Sequence, residues 1–575
     1  MAAFAEDPEP AQAKDYDYPL TVTGLAAGDT ATFFKVIEWV GEAEGNIAGW
    51  KVVSTYDSIK NDIIAAVLGT PATATTAKVE PTGITSLLAG KIADLATNGT
   101  DGTVAVDNGD TYKATLENPA AGMWMALITP ADSGTIYNPV FVSADYVTTE
   151  GGTVAVSDTY NGETAVAKKS TVTLTKTAAN TSDYNSDNAK TTAVGDTVTF
   201  TVNTQIPGYA DIYQNPHFDV VDTLTDLELK VDTVTVTVPG GLTKGTEYTV
   251  TPNGTAGYRI SFTAAYLKTL KTATPVTITY DAVVTSAAAH QINEETNDVY
   301  IEYSHNPTKE DDYDVKKDTT QHYTFTLDAN ADAVDTTLKG KKTSELVKIG
   351  LDAAGNPIIE TEEKSEITGT ETWKGSLPQA VFGLYKEDQI ETDEQGNKKV
   401  KASVTEPYKT QTTGSDGRMQ FDGLDAGTYY LKEISAPAGY VTQSDIHTIV
   451  IAAETETIKV TEWWNGSAWV STKPASGTAK EVTYETEILK SYSVTVDGTP
   501  AATYTFTNEK ETNSNEIQWE VCAPVEKPFL LPNTKGVELP STGGMGTTIL
   551  YVGGSILVIL AAILLITKRR MSADE

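Results

Sequence analysis

A lysine, an acid and an asparagine aimed into one apolar core form a reactive set, and this sequence holds one such set and part of another. In a strand, residues two apart share a face, so phase shows which polar side chain points inward. Lys176 is in phase with Val172 and Leu174, Asp222 with Phe218, Val220 and Leu224, and Asn297 with Val299, Ile301 and Tyr303. Farther along, Glu433 shares a face with Tyr429 and Leu431, and Asn508 with Tyr504 and Phe506. Burial lowers a lysine pKa and raises that of a carboxyl group, because each charged form loses its water. A neutral amine can then attack the amide carbon while the acid holds the amide oxygen and shuttles protons. Ammonia leaves, and a Lys–Asn isopeptide bond forms without an enzyme. Taken singly, an end-of-strand lysine, a surface acid and a turn asparagine are ordinary readings of the same residues.

The elements that must position these groups read mainly as strands. Thr-Val alternation recurs in Ser170–Lys176, Asp196–Val202 and Asp232–Val238, separated by Gly, Asn, Asp and Pro turns. Half-buried antiparallel strands in sandwiches fit that pattern. Two early stretches differ: Ile59, Ile63, Ile64 and Val67, then Leu87, Leu88, Ile92 and Leu95, fall near helical spacing. The first domain is therefore expected to carry a minor helical part.

Composition narrows the function. The chain has 575 residues, with 42 Lys plus Arg against 78 Asp plus Glu, for a net charge of −36. That excess repels phosphate backbones, so no nucleic-acid partner is expected. Cys522 is the single cysteine, so neither an intramolecular disulfide nor a cysteine-built zinc site can form. The histidines His217, His290, His305, His322 and His447 show no metal-ligating spacing, and no phosphate-loop, dinucleotide or hydrolase-elbow motif opens a helix. No metal, no cofactor and no enzymatic activity are expected.

The C-terminus is the most specific stretch. Residues 543 to 567 lack a charge, and Lys568, Arg569 and Arg570 follow at once. That run is long enough to cross a bilayer with its basic end inside, and a membrane span is expected at 545–567. Immediately before it stand Leu539, Pro540, Ser541, Thr542 and Gly543. This order of pentapeptide, apolar span and basic tail resembles the cell-wall sorting signal of Gram-positive surface proteins. The resemblance implies a sortase that attacks the carbonyl of Thr542, releases Gly543 onward and passes the acyl group to an amine, with peptidoglycan as the final anchor. The membrane would hold the substrate only transiently.

Two further resemblances concern the cores. Residues 170 to 303, with Val194–Phe200, Val221–Leu224 and Asn297–Tyr303, look like the isopeptide-forming middle domain of Gram-positive pilus shaft proteins. The roles implied are nucleophile for Lys176, acid for Asp222 and acceptor for Asn297. Residues 346 to 508, with Leu377–Tyr385, Tyr430–Tyr440 and Tyr504–Asn508, resemble a Cna protein B-type, transthyretin-like pilin domain. Here the implied acid is Glu433, the acceptor Asn508 and the nucleophile Lys348, with Lys342 as the competing lysine.

The expected architecture is mainly β: tandem immunoglobulin-like and transthyretin-like sandwiches, a minor helix in the first domain and a C-terminal transmembrane helix. The expected parts are an N-terminal remnant 1–12, a pilin domain 13–165, an isopeptide-forming sandwich 166–320, a Cna protein B-type domain 321–510, an extended spacer 511–538 and the sorting signal 539–575. Shaft pilins resolve the acyl intermediate with a lysine, usually in a Tyr-Pro-Lys motif that this sequence lacks. Lys168 and Lys169 are the nearest substitutes, beside their ordinary reading as a solvated pair. The function expected is a pilus backbone subunit whose partners are sortase and neighbouring pilin subunits. The alternative is a monomeric or basal wall-anchored adhesin that binds a host protein or glycan, with Trp373, Trp463, Trp464 and Trp469 as contact candidates.

Overall fold

The computed structural model describes residues 19–40, 50–69, 81–131, 134–144, 164–180, 190–209, 213–285, 292–305, 313–327, 345–358, 375–475, 479–505 and 529–536, with 557–558, 561 and 563. The chain forms two compact units. One contains the chain up to Phe325 together with Glu454–Lys490, and the other contains Thr326–Ala453, Ser491–Thr505 and the C-terminal stretch.

The first unit begins with two sheets. One orders the strands Thr164–Val166, Leu20–Leu25, Thr111–Leu116 and Thr103–Asn108, and the other orders Trp50–Val52, Thr30–Trp39, Gly122–Thr129 and Val140–Ala144. Helical turns from Ser54 to Leu68 and the helix Ser86–Leu95 pack Ile63, Val67, Leu88 and Ile92 against Val36 and Trp50. That helix starts at Thr85, whose side chain accepts from the Leu88 backbone N–H at 3.2 Å, satisfying one of the first-turn amides that have no partner within the helix. The helical spacing near 63 and 88 thus corresponds to helices, although Leu87 points to solvent.

The middle of this unit is a sandwich. One sheet orders Leu174–Asn180, Thr197–Ile206, Thr274–Val284 and Leu227–Leu229; the other contains Tyr248–Pro252, Gly257–Phe262, Phe218–Thr225, Ile292–Ser304 and Tyr313–Leu327 in that order. Val198, Phe200, Val202 and Ile278 from the first face Phe218, Val220, Ile260 and Ile301 from the second in one apolar core. Alternating Thr and Val explains the pairing, since the β-branched residues pack on a pleated face while Thr meets water or hydrogen-bonds sideways.

Two strands fall at or between the expected parts. Tyr313–Leu327 runs across the expected boundary at 320, and its residues 313–325 pair with Ile292–Ser304. The inward positions include Lys317, Thr319 and Gln321, so the period of two is present but written in polar residues. Similarly, Phe529–Asn533, within the expected spacer 511–538, pairs in parallel with Leu346–Gly350. Pro532 is compatible with that place because a two-stranded sheet leaves an edge where a missing N–H is tolerated.

The second unit is built on the sheet Lys409–Thr412, Val381–Lys386, Gly427–Ser435 and the strand starting at Ile446, with Phe382, Leu384, Phe421, Leu431 and Ile449 buried. Of the long strands Ile446–Trp464 and Lys480–Val496, residues 454–490 belong to the first unit, as a hairpin arm. Most of the expected membrane span and the basic tail lie outside the described residues. Leu557, Val558, Ala561 and Ile563 are helical and exposed, and no helix among the described residues is long and apolar enough to cross a membrane.

Candidate functional site

The middle sandwich brings Lys176, Asp222 and Asn297 together in its core. Lys176 comes from one sheet, and Asp222 and Asn297 come from adjacent strands of the other, where Leu224 stands opposite Asn297 and Asp222 opposite Val299. The Lys176 and Asp222 side chains are fully buried, and Asn297 is 0% exposed. Lys176 Nζ donates to Asp222 Oδ2 at 2.7 Å and to Asn297 Oδ1 at 2.5 Å. The Phe200 and Tyr280 rings lie 5.4 and 5.7 Å from that nitrogen.

The backbone holds each group in place. The Lys176 N–H donates to Asp318 Oδ2 at 2.6 Å, and Gly257 approaches the Asp222 carbonyl so closely that a Cβ there would sit 2.0 Å from the oxygen. Only glycine allows that approach, at φ +141°. Burial drives the Lys176 amine down, against the pull of Asp222, and drives the Asp222 carboxyl up, against the pull of Lys176. Loss of water favours the neutral form of both. A neutral amine within hydrogen-bond reach of an amide carbonyl, with an acid on the same nitrogen, is the arrangement that amide exchange requires.

A second cluster of the same composition lies in the other unit. Lys348 Nζ stands 3.0 Å from Glu433 Oε1 and donates to Asn533 Oδ1, while Asn533 Nδ2 donates to Glu433 Oε1 at 3.1 Å. Lys348 and Asn533 are 1% and 0% exposed. The other Glu433 oxygen accepts from the Gln443 backbone N–H at 2.7 Å, and the Lys348 amine lies 5.3 Å from the Phe382 ring. Desolvation lowers the Lys348 pKa, with Glu433 opposing.

The asparagine that meets Lys348 and Glu433 among the described residues is Asn533, which the sequence reading did not name; the resemblance implied Asn508 as acceptor. Asn508 itself lies outside the described residues, as does Lys342. Asn533 escaped the sequence reading because its strand follows Pro524, Pro528 and Pro532, a composition typical of an extended linker. The usable signal was Phe529, Leu531 and Asn533 in one phase. Lys348 was hard to place because Val347 and Ile349 flank it; in the structure the whole strand Leu346–Gly350 is buried, with Val347 and Ile349 packing on Leu530.

Leu539, Pro540, Ser541, Thr542 and Gly543 lie outside the described residues. Lys168 and Lys169 are exposed and border a groove of about 800 Å³ shared with Asn138, Tyr209, Tyr213 and Lys271. The Lys168 carbonyl accepts from the Asn138 N–H at 3.1 Å, and Lys169 pairs with Tyr137, so both lysines sit on a segment fixed by backbone bonds. Three of the tryptophans are half-buried: Trp464 and Trp469 pack 5.1 and 5.7 Å from Tyr300, and Trp463 Nε1 donates to Glu481 at 3.0 Å. Trp373 lies outside the described residues. His217, Asp219 and Glu302 come close enough together to hold a metal ion, but Arg259 Nη1 already stands 2.5 Å from Asp219 and 3.0 Å from Glu302 and supplies the positive charge.

Comparison with known proteins bears on the fold and on the C-terminus. Residues 363–463 match the prealbumin-like fold domain, and residues 531–572 match the LPXTG cell wall anchor motif. The chain is 26% identical over 593 residues to the trypsin-resistant surface T6 protein of Streptococcus pyogenes serotype M6, covering 97% of this chain and 96% of that protein. The solved T6 backbone pilin of serotype M6 Streptococcus pyogenes, described as a modular three-domain structure, is similar in fold at a TM-score of 0.50 and 21% identity, covering 90% of this chain and 98% of that one. The LPXTG motif marks an exported, cell-wall-anchored surface protein, and the chain as a whole is similar to a Gram-positive surface protein and to a backbone pilin in fold.

Proposed function

We propose that this chain is a pilin, the shaft subunit of a covalently polymerised pilus, stiffened internally by Lys176–Asn297 and Lys348–Asn533 isopeptide bonds. The observation that carries the reading is the double occurrence of one buried arrangement, in which a lysine amine contacts both a carboxylate and an asparagine carbonyl. An unreacted lysine and acid so far from water cost several kcal/mol each unless paired or consumed. Their repetition in two separate units therefore favours a purpose beyond packing. Each condensation is single-turnover and self-directed, with Asp222 or Glu433 as its acid.

Polymerisation would join Thr542 of one subunit to an amine of the next, with sortase as the catalyst and peptidoglycan as the last acceptor. Lys168 and Lys169 are the acceptors we assign, because they are exposed, fixed by the backbone and open to a groove. A denaturing gel of boiled cell-wall extract, probed for residues 170–505, tests the reading. A ladder of high-mass species that collapses to a single band in the Lys168→Ala/Lys169→Ala variant is expected. A single band from the wild-type chain would sink the shaft assignment.

A further inference from the structure

The two buried clusters differ in one respect that bears on their chemistry. In the second, Asn533 Nδ2 donates straight to Glu433 Oε1 at 3.1 Å, so the acid touches the nitrogen that must leave. In the first, the acid is an aspartate, shorter by one methylene, and the Asn297 nitrogen bonds instead to the hydroxyl of Tyr280 at 2.8 Å. That hydroxyl in turn donates to Asp222 Oδ2 at 2.7 Å. Tyr280 thus fills the gap between a short acid and the amide nitrogen.

We propose that Tyr280 is a catalytic residue of the Lys176–Asn297 condensation, relaying a proton from Asp222 to the departing amide nitrogen. The proposal rests on the isopeptide reading above. Packing locks the ring in that position, since it is 1% exposed, stacks on Phe200 with centroids 5.3 Å apart and meets Tyr258 edge-on at 5.0 Å. It is held from the same sheet as the nucleophile, where Tyr280 pairs with Phe200 and Val202 pairs with Lys176. Among the described residues Asp222 Oδ1 has no hydrogen-bond partner, which suits a neutral carboxyl better than a carboxylate, because an unpaired buried charge is costly.

The protons balance. Neutral Lys176 Nζ attacks Asn297 Cγ, forming the new C–N bond, and Nδ2 becomes pyramidal and gains a lone pair that can accept. The Tyr280 hydroxyl proton passes to Nδ2 as Asp222 gives its own proton to Tyr280. The Cγ–Nδ2 bond then breaks with its electron pair leaving on ammonia, and Nζ returns one proton to Asp222. Nζ has lost one proton, Nδ2 has gained one, and Tyr280 and Asp222 are restored.

The test is a pulse of cell-free synthesis of the full chain, quenched at intervals, with both cross-linked tryptic peptides quantified by mass. In Tyr280→Phe the Lys176–Asn297 peptide should form about 100-fold more slowly, the scale of one general acid. The Lys348–Asn533 peptide should form at the wild-type rate. Equal rates for the first peptide in the folded variant and the wild type would overturn the proposal. A folded wild-type chain that never forms the first peptide would overturn the isopeptide reading itself, a distinct result. If Tyr280→Phe fails to fold, 3,5-difluorotyrosine placed at 280 keeps the shape and lowers the phenol pKa. A shifted pH profile of bond formation is then expected, and an unchanged one overturns the relay.

Discussion

Residues decide the chemistry here through the company they keep. Lys176 and Lys348 are lysines among many, but each is sealed from water with an acid and an asparagine on its amine. Asn533 gives the sharpest check, because the resemblance to a Cna protein B-type domain implied Asn508. Intact mass of the soluble region should fall short of the calculated value by one ammonia per bond, and Asn533→Ala should abolish one deficit. Asn508→Ala should leave both, and the reverse pattern would overturn the assignment to Asn533. Lys176, Asp222, Asn297 and Glu433 were legible because each sits in an unbroken run of alternating apolar residues. Asn533 and Tyr280 were not, the first for its proline-rich neighbourhood and the second because a tyrosine in phase with Val276, Ile278 and Ala282 reads as ordinary core.

Elements contribute turns and one long arm. The turn from Asp393 to Asn397 closes on the Asp393 carboxylate, whose Oδ1 accepts from the N–H groups of Asn397 at 2.8 Å and Gln395 at 3.0 Å. Those bonds favour the ionised form and hold its pKa down to about 2. A folded pKa below the unfolded value gives stability that is present above the ordinary aspartate range and is lost as pH falls through about 2. The carboxyl carbon of Asp393 should accordingly titrate near that pH by NMR, and a midpoint near 4 would contradict the turn.

The hairpin arm of residues 454–490 docks through Lys317, which is 5% exposed at its side chain, stands 2.7 Å from Glu462 and lies 5.3 and 5.4 Å from the Trp469 and Tyr484 rings. Removing one partner of a buried pair costs about 3–5 kcal/mol. Lys317→Ala should therefore speed amide exchange across residues 456–463 and 481–487, and unchanged protection would show that the arm holds without it. None of this docking was readable from sequence, because Lys317 and Glu462 are 145 positions apart.

At the scale of the whole molecule, the chain lacks disulfides and carries a net charge of −36, so self-repulsion is large and cross-links are scarce. A Lys176–Asn297 bond spans 121 positions; by the chain-entropy treatment a cross-link of that reach stabilises by about 5 kcal/mol. Asn297→Ala should lower the denaturant transition of its unit by about that amount, with the other unit unmoved. A shift below about 1 kcal/mol would argue that no cross-link forms. The order of amino acids is enough to dictate the strand-rich class, the exclusion of an intramolecular disulfide and of a cysteine-built zinc site, the LPXTG motif and the inward phase of Lys176, Asp222, Asn297 and Glu433. Those are properties of composition, local spacing and period, which need no knowledge of what lies across the core. Packing in three dimensions was needed to establish that Asn533 meets Lys348, that Tyr280 bridges Asp222 and Asn297, and that residues 313–327 and 529–533 are strands. These depend on contacts between distant segments, and a polar or proline-bearing strand declares itself only when the partner that covers it is present.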